Sequence, residues 1–136
     1  MAGYSGTPLW KKLGYKPGAT AYLDEPPENY PKLLELPPEV PVRWLTVEKP
    51  PIEFVHLFAT KAQDLQTKLK RFRNTIAPDG VIWVSWRKKS SNVETDISED
   101  RIRQLALPQG LVDVKVCAVD EVWSGLKLVI RREHRK

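Results

Sequence analysis

Hydrophobic residues cluster most densely in the part of the chain that follows Pro51. Residues 52–59 (IEFVHLFA) and 81–86 (VIWVSW) are apolar at nearly every position, which is typical of strands buried on both faces of a sheet. The segment between them is amphipathic, because its apolar residues recur at helical spacing. We therefore predict a helix here whose buried face is formed by Leu65, Leu69, Phe72 and Ile76.

Two more strands are predicted near the C-terminus, where apolar and polar residues alternate. They comprise residues 111–119 and 126–131, and the link between them is short enough for an antiparallel connection. A helix that Asp96 and Glu99 can cap precedes them. The earlier helix is expected to begin at a capping box that starts at Thr60.

Prolines divide the first third of the chain into short elements. Ten of the twelve prolines lie before residue 52, and each one removes a backbone donor and restricts the residue before it. The short helices predicted here lie within residues 7–13 and 28–36. The short strands lie at residues 19–23 and 42–45.

The order of these elements predicts the fold class. Strands alternate with helices, which indicates a mainly parallel α/β sheet with helices on both faces, a three-layer Rossmann-like arrangement. The final short link makes the C-terminal strand antiparallel. We expect one domain over residues 1–136, with an N-terminal arm and turn (1–18), a proline-rich first part (19–51) and a main body (52–136).

Two segments carry a resemblance to S-adenosylmethionine-dependent methyltransferases. Residues 13–18 (LGYKPG) resemble the segment before their first strand, and residues 76–84 (IAPDGVIWV) resemble a helix-turn-strand in their second half. The chain also resembles a bacterial family known as domain of unknown function 3052. That resemblance rests on 13–18, on DGVIW at 79–83 and on WSGLKLV at 123–129. It implies the fold and no particular activity.

The turn after the first strand departs from true methyltransferases. Their first strand leads into a glycine-rich turn, which lets the backbone approach the cofactor closely. Here residues 24–28 read DEPPE and contain no glycine. Gly18, Asp24 and Glu25 are therefore candidates only for a degenerate cofactor site, and Glu48 is a further carboxylate able to reach a ribose. We predict no bound cofactor.

Composition and motifs narrow the possible chemistry. Hydrophobic residues make up 41% of the chain and charged residues 29%, which is typical of a globular protein. No apolar run is long enough to span a bilayer and the first residues lack a signal peptide's apolar region, so we expect a cytoplasmic protein that does not contact a membrane. With one cysteine, two histidines and no recognisable catalytic motif, no catalytic residue and no metal ligand is predicted.

The net charge of +5 is carried by the second part of the chain, where residues 61–136 contain sixteen Lys and Arg against ten Asp and Glu. Cations and tryptophans are adjacent in two loops there. Loops that follow central strands often hold ligands, and in a methyltransferase-like sheet the strand at residues 79–86 neighbours the final strand. We therefore expect the two loops to meet at one edge and form an anion or partner site. The candidates are Trp86, Arg87, Lys88, Lys89, Trp123, Ser124, Gly125 and Lys127.

Three functions remain open at this point. The first is a non-catalytic binding or interaction domain on a degenerate methyltransferase scaffold, with an anionic ligand or a protein as partner. The second is an atypical methyltransferase or other small-ligand enzyme. The third, which the scattered aromatic residues disfavour, is nucleic-acid binding by the basic helix at residues 61–73 and the loop at 87–89.

Overall fold

The computed structural model describes residues 7–88 and 95–135. The first half of the chain forms short elements, and the second half forms longer ones. The helices are α1 (Leu9–Leu13), α2 (Tyr30–Leu34), α3 (Ala62–Arg73) and α4 (Glu99–Ala106). The strands are β1 (Ala19–Asp24), β2 (Val42–Leu45), β3 (Ile52–Phe58), β4 (Ile76–Arg87), β5 (Leu111–Ala118) and β6 (Trp123–Ile130). Two 3-10 turns, Leu107–Gln109 and Arg132–His134, complete the described elements.

The six strands form one sheet in the order β2-β1-β3-β4-β6-β5. The pairs β1–β2, β1–β3 and β3–β4 are parallel, whereas β6 is antiparallel to both of its neighbours. The prediction of a mainly parallel sheet with an antiparallel C-terminal strand is therefore confirmed. This topology is that of the methyltransferase-type Rossmann-like fold.

A hydrophobic cluster covers each face of the sheet. One contains the apolar residues of α3 and α4, and the other contains those of α1 and α2. Trp83 of β4 is fully buried in the second cluster, where its indole Nε1 donates a hydrogen bond to the Leu13 carbonyl at 2.8 Å. This bond holds the end of α1 against the middle of the sheet.

Both predicted ends of α3 are wrong, and a contact with a distant residue explains the error at its N-terminus. Lys61, not Thr60, is the N-cap of α3, and the Asp96 carboxylate accepts a hydrogen bond from the Ala62 amide at 2.6 Å. Asp96 therefore caps α3 across 34 residues, while Ser98 caps α4. The helix also ends at Arg73, so Ile76 begins β4 rather than ending the apolar helix face.

Candidate functional site

The carboxyl ends of β1 and β3 are the first place to seek a ligand. Strand order reverses between these two strands, and open α/β sheets bind ligands in the crevice outside such a switch point. The crevice has a volume of about 160 Å³ and is lined in part by Glu25, Phe58, Lys68 and Trp123. Small-molecule sites usually enclose about 300–1,000 Å³. This crevice by itself is therefore smaller than an ordinary ligand site, although a shallower pocket of about 400 Å³ lies next to it at Thr60 and Lys61.

The acidic turn at this edge is already paired within the chain. Lys68 Nζ lies 2.5 Å from Asp24 Oδ1 and 3.0 Å from Glu25 Oε2. Arg71 contacts the other oxygen of Asp24 at 3.2 Å and Glu48 Oε1 at 2.9 Å. All three carboxylates that could face a cofactor therefore contact a cation of α3.

Burial makes the central ion pair hard to open. The Asp24 and Lys68 side chains are only 10% and 14% exposed. Burial opposes the charge of Lys68, but hydrogen bonds to Asp24 and Glu25 outweigh it and raise the pKa of the ammonium group. Removing one partner of such a buried pair typically costs about 3–5 kcal/mol, because it leaves a buried charge alone. Helix α3 thus stabilises this conformation of the turn.

The turn is made without glycine. Glu25 adopts a φ of 51°, in the left-handed region that glycine usually occupies. Its side chain projects from the turn and its carboxylate contacts Lys68. Gly18, in contrast, lies at the start of β1, and the whole strand separates it from Asp24. The three residues considered for a degenerate cofactor site therefore do not converge.

The pairing of β4 with β6 brings the two tryptophan-containing segments to the same edge as expected, but Trp86, Arg87 and Trp123 lie in the strands themselves, since β6 begins at Trp123 and not at residue 126. Arg87 is directly opposite Trp123, and its guanidinium carbon lies 4.8 Å from the centre of the Trp123 ring. Lys88 Nζ donates a hydrogen bond to the Asp120 carbonyl at 2.6 Å. Arg87, Lys88 and Trp123 are thus one group at the carboxyl edge, whereas Lys89 lies outside the described residues.

The expectation that two indoles share this surface is wrong. Neighbouring residues of a strand point to opposite faces, so Trp86 and the Arg87–Trp123 pair are separated by the sheet. Trp86 packs in the cluster with α3 and α4, and Trp123 packs in the other cluster against Phe58, with ring centres 5.0 Å apart. Both tryptophans are only 9% exposed.

Three further candidates, Gly125, Ser124 and Lys127, do not lie beside the Arg87–Trp123 pair as parts of one binding surface. A Cβ on Gly125 would lie 3.2 Å from the Trp83 ring, so the glycine makes room for a core side chain and has no positive φ. Ser124 is half-buried opposite Trp86. Lys127 is opposite Trp83, four residues beyond Trp123, which places it about 13 Å away along the strand. It therefore belongs to the other edge of the sheet.

A buried chain of hydrogen bonds runs through His56, which is fully buried in β3. Both of its ring nitrogens contact side chains. Its Nδ1 lies 2.7 Å from the Tyr30 hydroxyl and its Nε2 lies 2.7 Å from Ser85 Oγ. Tyr30 continues the chain to Tyr15 at 2.7 Å. Because the four residues come from separate elements, no local sequence pattern could reveal the chain.

Comparison with solved structures supports the fold assignment. The chain is similar to a type 11 methyltransferase from Sulfolobus solfataricus, with a TM-score of 0.63 and 15% identity, over 94% of this chain and 95% of that one. Mitomycin 7-O-methyltransferase also gives 0.63, with 12% identity over 83% of this chain and 49% of its own length. Fibrillarin from Aeropyrum pernix, solved with natively bound S-adenosylmethionine, gives 0.57 with 11% identity, over 94% and 71%.

These similarities show the fold alone, and this chain spans only about half the length of mitomycin 7-O-methyltransferase. No protein-family model and no curated protein matches the sequence. Within residues 7–88 and 95–135, no helix is long and apolar enough to cross a membrane. The same residues contain no cluster of three His, Cys, Asp or Glu side chains suited to a metal ion.

Proposed function

We propose that this chain is a non-catalytic binding domain on a methyltransferase-like scaffold. One observation carries the proposal. At the edge where this fold places its cofactor, the carboxylates of Asp24, Glu25 and Glu48 each already form an ion pair with Lys68 or Arg71. The small volume of the crevice supports it. A cofactor would have to break a largely buried ion pair before it could enter.

Titration with S-adenosylmethionine and S-adenosylhomocysteine tests the proposal. We expect no heat of binding for either compound at concentrations up to about 1 mM, which corresponds to roughly 4 kcal/mol of binding free energy. The fibrillarin from Aeropyrum pernix is a suitable positive control for ligand quality, since it holds the cofactor natively. Micromolar binding that is lost in Asp24→Asn would contradict the proposal and identify the acidic turn as a working cofactor site.

The alternative is an atypical methyltransferase or small-ligand enzyme, and the likeness to methyltransferase structures favours it. It requires the α3 cations to release the acidic turn when ligand binds. Lys68→Met would then strengthen binding of S-adenosylmethionine, because the ion pair would no longer oppose it. Under the non-catalytic proposal, Lys68→Met lowers stability and creates no binding.

Family membership and location are parts of the same proposal. The three motifs at 13–18, 79–83 and 123–129 support membership of the family of domain of unknown function 3052. The cytoplasmic location expected from the sequence stays a prediction. Nucleic acid is less favoured as a partner, because Lys68 and Arg71, two cations of the basic helix, are already in ion pairs.

A further inference from the structure

A larger cavity lies at the opposite, amino-terminal edge of the parallel strands. We call it the amino-edge cleft. Its volume is about 440 Å³, within the range of small-molecule sites. Its polar lining is formed by Lys16, Lys127, Arg135, Glu53 and Asp79. Apolar residues of β1, β3, β4 and β6, among them Phe54 and Val129, form the rest of the wall.

Two lysines, Lys16 and Lys127, line this cleft. Lys127 is half-buried, and Lys115 and Lys16 are the charges that act on it. Burial, followed by repulsion from these two lysines, lowers the pKa of Lys127. In the described part of the chain, neither Lys16 nor Lys127 forms an ion pair or a hydrogen bond through its ammonium group.

Among the described residues, the carboxylates that line the cleft form no ion pair with these two lysines. Glu53 Oε1 accepts hydrogen bonds from the amide and the hydroxyl of Thr20, at 2.8 and 3.1 Å, and so is held against β1. Asp79 is exposed at the start of the apolar part of β4 and has no ion pair with a described residue. Both carboxylates are thus placed to accept hydrogen bonds from a ligand's hydroxyl or amino groups.

We propose that the amino-edge cleft binds a small phosphorylated metabolite, with its phosphate between Lys16 and Lys127 and its hydroxyl or amino groups toward Asp79. A phosphate monoester carries about −1.5 to −2 charges at neutral pH, which matches two ammonium groups better than a single carboxylate does. Lysine binds phosphate as a point charge. The site does not depend on the carboxyl edge, so it stands whether or not S-adenosylmethionine binds there.

Calorimetric titration with ribose 5-phosphate, ribose and inorganic phosphate at constant ionic strength tests this site. We expect ribose 5-phosphate to bind more tightly than inorganic phosphate, and ribose not to bind. Lys127→Gln and Lys16→Gln should each weaken binding at least tenfold. Lys70→Gln, which removes an exposed cation from the far side of α3, is the matched control and should leave binding unchanged.

A second readout does not depend on the variants. Binding of a phosphate beside Lys127 should raise the lowered pKa of this lysine, so proton uptake should accompany binding and should grow as the pH rises toward the ordinary lysine pKa of about 10.4. It is measured from the heats in two buffers of different ionisation enthalpy. The proposal is overturned by absence of binding below about 1 mM, by binding that Lys127→Gln leaves intact, or by equal affinity for inorganic phosphate and ribose 5-phosphate. It is also overturned if a single-stranded oligonucleotide binds more tightly than the monoester and loses that affinity in Lys127→Gln.

Discussion

The buried imidazole of His56 makes the stability of this protein depend on pH. His56 has no exposed surface, its ring stacks on Phe58 with centres 4.4 Å apart, and both of its nitrogens have side-chain partners. Desolvation by burial lowers its pKa to about 3. Below its ordinary pKa of about 6.5, the unfolded chain takes up a proton at this position whereas the folded chain does not. The folded state is therefore destabilised as the pH falls.

The size of the effect follows from these two pKa values. At pH 7.5 both states are neutral at His56, so the contribution is close to zero. At pH 5 the unfolded state gains about 2 kcal/mol, and the loss grows toward roughly 5 kcal/mol as the pH approaches the folded value. A loss of about 2 kcal/mol is a large part of the stability of a small domain.

Urea unfolding at pH 7.5, 6 and 5 measures the effect. His56→Asn should lower stability at every pH, and between pH 7.5 and 5 it should lose about 2 kcal/mol less than the wild type. His134→Asn, at the other and exposed histidine, should keep the wild-type dependence. A wild type and a His56→Asn variant with equal slopes would refute the reasoning. So would an NMR titration in which the His56 ring gains its proton near pH 6 in the folded protein.

Two predictions concern residues at the junction of β4 and β6. Gly125→Ala should destabilise the protein by about 1–3 kcal/mol in denaturant unfolding, because the Trp83 ring, held by the Leu13 carbonyl, cannot move away from the new methyl group; a loss no larger than that of Ser124→Ala would contradict this. Trp123→Ala should lower stability by about 3–5 kcal/mol through lost contacts with Phe58 and Arg87. An unchanged melting temperature would instead indicate that Trp123 serves binding rather than the core.

The main sheet was predictable because its signals are local. The apolar runs at 52–59 and 81–86 gave β3 and β4, and the short link after residue 119 gave the antiparallel β6. Helix caps were less predictable, because the Asp96 carboxylate that caps α3 lies 34 residues further along the chain, beyond β4. The helix-turn-strand that residues 76–84 resemble is instead all strand, because β4 begins at Ile76. A register shift in the β3–β4 pairing accommodates this segment.

The arrangement of side chains at the carboxyl edge was harder to predict than the sheet, because it depends on which residues of distant elements come into contact. The strand order allowed Arg87 to be placed beside Trp123, but strand alternation puts Trp86 on the other face. The acidic turn at Asp24 was visible as a sequence without glycine. Its partners Lys68 and Arg71 were visible only as the polar face of a helix, because ion pairs across more than forty residues leave no pattern in the sequence.

The two edges of the sheet differ in how their charges are balanced. At the carboxyl edge, α3 supplies Lys68 and Arg71, so the carboxylates there are neutralised within the chain. At the amino edge, Glu53 is held by Thr20, and no described carboxylate pairs with Lys127. A ligand adds electrostatic stability only where charge is left unbalanced. The acidic turn beside β1 therefore has little to gain from a ligand, whereas the amino edge can accommodate an anion from solution beside Lys16 and Lys127.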